Sequence, residues 1–274
     1  MKVDRIKADH AKIDVVEIVN KAILTFESEN GVKEGIWKTP LISVISADNP
    51  LIPKLKEAVS PDHLLPEELL PGAKSVVVFF VPFENRIVSS NLEGEAASED
   101  WAKAYILTNS LIGFISDEIE KVIYERGFKM EKIKATHNFN EKTLMSQWSH
   151  RHFAWIAGLG TFGINNMLIT PNGCCGRFGS FITTADYNCF CISPAKSPLY
   201  GNDPKKEKCL YKRNGSCGLC QKKCVHGAYG EGGEFYKHKC YEACLKNASL
   251  YKHLGLADVC GKCLVGLPCS TKSP

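Results

Sequence analysis

Thirteen cysteines lie between Cys174 and Cys269, and none precedes them. Thiols gathered into one stretch of chain suit either a disulfide scaffold or a metal-binding segment. The disulfide reading calls for an exported chain. The first residues, Met1-Lys2-Val3-Asp4-Arg5, run into a mixed-charge segment with no apolar signal core. An odd number of cysteines also leaves one thiol unpaired. The expectation is therefore a cytoplasmic chain with reduced thiols that bind metal.

The spacing sharpens that expectation. Cys217-Gly-Leu-Cys220-Gln-Lys-Lys-Cys224 is C-x2-C-x3-C, the closing half of the run that binds cubane clusters in bacterial ferredoxins. C-x2-C lets two sulfurs of one turn reach two corners of a cluster, while the third cysteine points away to a second one. Cys209 precedes this run, and Cys240, Cys260-Gly-Lys-Cys263 and Cys269 follow it. Together they supply the eight thiolates that two 4Fe–4S clusters need. The crossover of two-cluster ferredoxins assigns Cys209, Cys217, Cys220 and Cys269 to one cluster, and Cys224, Cys240, Cys260 and Cys263 to the other. Paired C-x2-C units also make zinc ribbons, and that alternative stays open. Cys244 could take the place of Cys240. Cys174 and Cys175 read as buried or loop thiols, or as one thiol facing a cofactor. Cys189 and Cys191 could join them in a third site.

Charge divides at nearly the same place. Up to residue 150 there are 18 basic against 23 acidic residues, and beyond it 16 against 7. A thiolate-bound cluster is anionic, so the basic excess offsets it locally and is only weakly a nucleic-acid footprint. With 44% hydrophobic and 23% charged residues the chain is of ordinary globular composition. Its longest apolar runs are about a strand long, so no membrane-spanning helix and no membrane partner are expected.

Periodicity supplies the elements that must position these residues. Lys12–Glu27 and Trp101–Arg126 read as amphipathic helices, the second closed by Gly127. Pro40–Ala47, Ser75–Val81 and Phe128–Ala135 read as strands, Pro50–Pro71 as a Pro-punctuated connection, Glu84–Glu99 as a surface loop and Thr143–Gly158 as a helix. The fold class expected is α+β, with one domain over residues 1–187 and a small, loop-rich metal domain over 188–274.

One further stretch is distinctive: Ala157-Gly158-Leu159-Gly160-Thr161-Phe162-Gly163-Ile164-Asn165-Asn166-Met167-Leu168-Ile169-Thr170-Pro171. Its glycines and asparagines allow close approach of backbone to a ligand. Together with Leu65–Val78, Gly176–Thr183 and the order of the eight cysteines, it resembles the epoxyqueuosine reductase family, cobalamin-dependent iron–sulfur enzymes related to reductive dehalogenases. The resemblance implies a nitroreductase-like cobalamin-binding module followed by a ferredoxin-like domain with two 4Fe–4S clusters. It implies an oxygen-sensitive oxidoreductase that passes electrons from a donor such as ferredoxin or flavodoxin, through the clusters, to cobalamin, and so reduces a small-molecule or modified-nucleoside substrate. Gly158, Gly160, Phe162, Gly163, Asn165, Asn166, Arg177 and Gly179 would lie against the corrin.

Departures from the family pattern bear on the chemistry. Leu144 stands where the family has its proton-donor Asp, so no catalytic residue is assigned. Glu141, His137, His150 and His152 are the nearby alternatives. Val225-His226 replaces the usual Pro after the ferredoxin cysteine, and Ile164-Asn165 replaces an expected Lys. The sequence ends five residues after Cys269, without the helical repeats that help some relatives hold tRNA, so a tRNA partner is not supported. The alternative function is electron transfer, or reduction and handling of cobalamin, without substrate chemistry of its own.

Overall fold

The computed structural model describes residues 12–32, 35–191 and 207–274. The reading of the first five residues falls outside them. Helix α1, Val15–Glu29, forms because Val15, Val16, Val19, Ala22, Ile23 and Phe26 recur on one face and are buried there. The Asp14 carboxylate caps it by accepting from the Glu17 amide at 3.0 Å. Strand β1, Leu41–Ser46, follows. The Pro-rich connection then supplies two single-turn helices, α2 (Leu55–Ala58) and α3 (Pro66–Leu69).

Strand β2, Ser75–Pro82, is buried at every position. A run without polar alternation must be covered on both faces, and this one is. The expected surface loop contains a helix, α4 (Asn85–Ser90), that buries Ile87 and Val88. Those two apolar residues, set among polar ones, are enough to dock one turn on the core. Helix α5 spans Glu99–Glu125, begins at Ser98 and closes before Gly127, which holds a φ of 78°. The next strand, β3, covers only Met130–Lys132 of the expected Phe128–Ala135.

The segment expected to be helical from Thr143 is instead a small hairpin, β4 (Phe139–Asn140) with β5 (Met145–Ser146), before helix α6, His150–Ile156. The Asn140 side chain accepts from the amides of Lys142 and Thr143, at 3.0 and 3.1 Å, and so turns the chain. Leu144 then adopts a φ of 53°, which no helix accommodates. Short strands β6 (Thr161–Phe162) and β7 (Leu168–Ile169) pair with each other across the Gly-rich segment. Strand β8, Gly176–Thr183, returns to the centre of the main sheet. Beyond it are α7 (Leu210–Asn214), α8 (Leu219–Lys222) and α9 (Lys237–Leu250).

The main sheet has the order β1-β2-β8-β3 and is antiparallel throughout. Helices α1 and α5 cover one face, and α6 packs on the other against β2 and β8. The molecule is therefore α+β, as expected. No helix among the described residues is long and apolar enough to cross a membrane.

Gly179 shows how tightly the sheet is filled. A Cβ there would stand 2.4 Å from the Phe79 ring and 2.9 Å from Ile112, and Phe79 is its cross-strand partner. Replacing Gly179 by alanine is expected to cost about 1–3 kcal/mol through overpacking, measured as a lower urea midpoint.

Candidate metal centre

All thirteen cysteines are free thiols, and eight of them fall into two groups. Cys209 caps the start of α7, Cys217 lies just before α8 and Cys220 within it, and Cys269 arrives from the C-terminal loop. The Cys220 thiol is pushed up to about 11 by burial first, then by Cys269, Cys209 and Cys217. These four line one small cavity of about 20 Å3, together with Gly163, Asn165 and Ile169. In the second group the Cys263 thiol is pushed up to about 12, by burial and then by Cys240, Cys260 and Cys224, with Cys220 of the first group the next contributor.

The shifts share one physical origin. Buried thiols that would repel one another as thiolates hold their protons, unless a polycation takes the protons' place. Cys240 differs: a hydrogen bond from Cys244 draws it down to about 7, while Cys244 is held far above the usual thiol range.

The surroundings suit an anionic occupant. The Ala228 amide donates to Cys224 Sγ at 3.4 Å. Lys262, inside the Cys260–Cys263 turn, is only 3% exposed, and its ammonium donates to the carbonyls of Asn91 and Glu93 at 3.0 and 2.6 Å. Tyr229 Oη, His226 Nε2 and Trp101 Nε1 are buried with no protein partner. His226 thus has one ring nitrogen in the interior. Among the described residues, no three His, Cys, Asp or Glu side chains converge closely enough to hold a single metal ion.

The thiol segment is bolted to the sheet domain. Cys174 N and Cys175 N donate to Cys269 O and Ser270 O at 2.9 and 3.0 Å. Asn91 Nδ2 reaches Cys260 O at 2.9 Å, and Asn165 Nδ2 reaches Cys263 O at 3.2 Å. Cys174 and Cys175 are buried. The Cys175 thiol donates to Leu264 O at 3.3 Å, and Cys174 touches the thiols of Cys175 and Cys269. Cys189 and Cys191 are engaged elsewhere, their backbones bonded to Ile13.

The residues expected to face a corrin do different work. A Cβ at Gly160 would lie 2.3 Å from Ile169 O, and one at Gly163 would lie 2.8 Å from Asn165 Oδ1, so both glycines serve the loop's own packing. Gly158 follows α6 at a φ of 76°, and Asn166 turns the loop at 58°. Phe162 packs against His152, ring centroids 4.7 Å apart. Gly179 has no open face, since Phe79 fills it. Arg177 lies over the Tyr105 ring at 4.2 Å and reaches Ala135 O at 3.4 Å.

Beside Arg177 is an open groove of about 500 Å3 between α5 and the chain from Lys132 to His137, lined by Asn109, Gly113, Thr136 and His137. Asn109 Oδ1 is buried near it without a partner. Tyr105 Oη donates to Asp258 at 2.8 Å and lies 3.5 Å from Thr136 Oγ1. His137 Nε2 is 3.6 Å from the same carboxylate. Tyr105 is held above the usual phenol range by burial, against the pull of Arg177.

His150 and His152 are structural. His150 bonds Ser180 Oγ at 2.7 Å and Lys134 O at 2.8 Å, and burial pushes it down to about 4. The unfolded chain takes up that proton near pH 6.5 and the folded chain does not. The stabilisation is complete above pH 6.5 and is lost as the pH falls toward 4, by about 3 kcal/mol across the window. Replacing His150 by glutamine is expected to flatten the fall of the urea midpoint from pH 6.5 to 5.

The sequence pointed to the thiols but not to Tyr105, Tyr229, Asp258 or Lys262. Lys262 carried a signal, since it sits inside a C-x2-C turn. Tyr105 carried none, because one tyrosine on an amphipathic helix reads as core.

The fold is similar to that of solved epoxyqueuosine reductases. One, bound to a tRNA-Tyr epoxyqueuosine-modified stem loop, is 18% identical, with a TM-score of 0.52 over 94% of this chain and 66% of that one. Another, from Bacillus subtilis with its catalytic loop swung out of the active site, is 18% identical, with a TM-score of 0.52 over 95% of this chain and 67% of that one. This chain thus spans about two thirds of the length of each. No family model and no curated protein matches the sequence.

Proposed function

We propose that this chain is an iron–sulfur oxidoreductase acting on a modified nucleoside in a tRNA stem loop. The observation that carries the reading is the division of eight thiols into two adjacent groups of four, one of them ringing a void. Cys209, Cys217, Cys220 and Cys269 would hold one 4Fe–4S cluster, and Cys224, Cys240, Cys260 and Cys263 the other. Bound there, the clusters supply one-electron transfer. Around them Lys262 offsets anionic charge, and the Ala228 amide steadies a thiolate. Fold similarity to a reductase solved with a tRNA stem loop supports the substrate class. The electron donor would be a ferredoxin or flavodoxin.

Cobalamin is the acceptor that the sequence resemblance implies. Gly160, Gly163 and Gly179 are taken up by packing, so these glycines do not fit the role of cradling it. The groove beside Arg177 is the open face for an organic ligand. Tyr105, whose hydroxyl meets Thr136 of that groove, is the proton source. Arg177 and Asp258 fix its ring and hydroxyl. This places the proton in a different element from Leu144, whose side chain has none to give.

Oxygen-free reconstitution followed by metal, sulfide and corrinoid analysis tests the reading. About eight irons per chain are expected; zinc, or no metal, overturns it. Iron without corrinoid and without turnover of a modified stem loop would instead mark the chain as an electron carrier.

A further inference from the structure

Tyr229 lies in the loop after Cys224, and its ring packs against Phe235 with centroids 5.1 Å apart. Its backbone bridges to Phe235, and Tyr236 N donates to Ala228 O at 2.9 Å, so the loop closes on itself and holds the ring. The hydroxyl points inward. It has no solvent contact and no partner in the protein, although an unpaired buried hydroxyl is costly. The ionisable groups that act on it most strongly are thiols: Cys263, Cys220, Cys240 and Cys224. Three belong to the second group and one to the first, which puts the hydroxyl on the side of the second site that faces the first. A phenol can donate there, and a cluster held by those cysteines would bring sulfur acceptors to it.

We infer that Tyr229 is a positioning residue whose hydroxyl donates an O–H···S hydrogen bond to the cluster held by Cys224, Cys240, Cys260 and Cys263, on its side toward the other cluster. Such a bond stabilises the more negative, reduced cluster and so raises its potential. It favours that cluster as the resting place of the electron after transfer from the first. The inference rests on the two-cluster reading above, and its test separates the two.

The experiment is a redox titration of oxygen-free, reconstituted protein, followed by electron paramagnetic resonance, for the chain as it stands and for Tyr229→Phe. The variant keeps the ring and its packing, and is expected to keep the full iron content. One of the two reduced signals should appear at lower potential, with the other unmoved. Proton–deuterium exchange should remove a hyperfine coupling from the reduced cluster of the unaltered chain, and that coupling should be missing in Tyr229→Phe. An unmoved potential with both clusters present overturns the inference and leaves the two-cluster reading intact. Absence of iron from the unaltered chain overturns both. Iron loss confined to Tyr229→Phe would make the tyrosine structural, and that also overturns the inference.

Discussion

Replacing Cys220 by alanine is expected to remove about half of the iron and all turnover. Cys220 belongs to the first group of thiols and is felt by the second. Its nearest charged neighbours are Cys269, Cys209 and Cys217, and it is also felt by Cys263. Three thiolates cannot close the fourth corner of a cubane, and alanine offers no donor to replace the sulfur. The second group keeps its four cysteines, so its cluster should persist with its own reduced signal. Cys175→Ala is the matched control. That thiol is equally buried, yet it bonds Leu264 O and contributes to neither group of four. It should keep all of the iron and lose stability only by the small cavity. Iron and acid-labile sulfide per chain, read beside the electron paramagnetic resonance of reduced protein, decide the matter. Full iron in Cys220→Ala, or half in Cys175→Ala, would overturn the division of the thirteen thiols.

The thiol pattern and the buried strand Ser75–Pro82 were legible in the sequence for the same reason. Each depends on residue types in a short, contiguous spacing, and nothing distant is needed to interpret them. The hairpin before α6 was not. The stretch from Thr143 has helical periodicity, but the decision is made by Asn140, whose carboxamide captures two amides and sends Leu144 into a left-handed turn. The Gly-rich segment misled in another way. Glycine marks a close approach without saying of what. At 160 the neighbour is the Ile169 carbonyl, and at 179 it is the Phe79 ring. The groove could not be read at all, since it joins residues of α5 to a segment some twenty positions later, and no local signal connects them.

Replacing Tyr105 by phenylalanine is expected to lower turnover by about a hundredfold or more, the usual worth of a positioned proton donor. The Tyr105 hydroxyl is the group at stake. It donates to Asp258 at 2.8 Å, Thr136 Oγ1 is 3.5 Å away, and the Arg177 guanidinium lies over the ring. Burial keeps the phenol protonated across the ordinary pH range, so a proton is present whenever substrate arrives. Arg177 works against that burial and favours the charge left behind after donation. Phenylalanine preserves the ring, its contact with Arg177 and the packing of α5, and removes only the hydroxyl. Iron content, cluster signals and the affinity for a modified stem loop should therefore be unchanged, with the loss confined to kcat. A lost solvent deuterium isotope effect would accompany it if proton donation limits the rate in the unaltered enzyme. The competing structural role makes a different forecast. If the hydroxyl serves only to tie Asp258, and with it the Cys260 loop, to α5, then Tyr105→Phe should lower the melting temperature and release iron while turnover per bound cluster stays constant. Turnover normalised to iron separates the two, and a value within about threefold of the unaltered chain would remove Tyr105 from the chemistry.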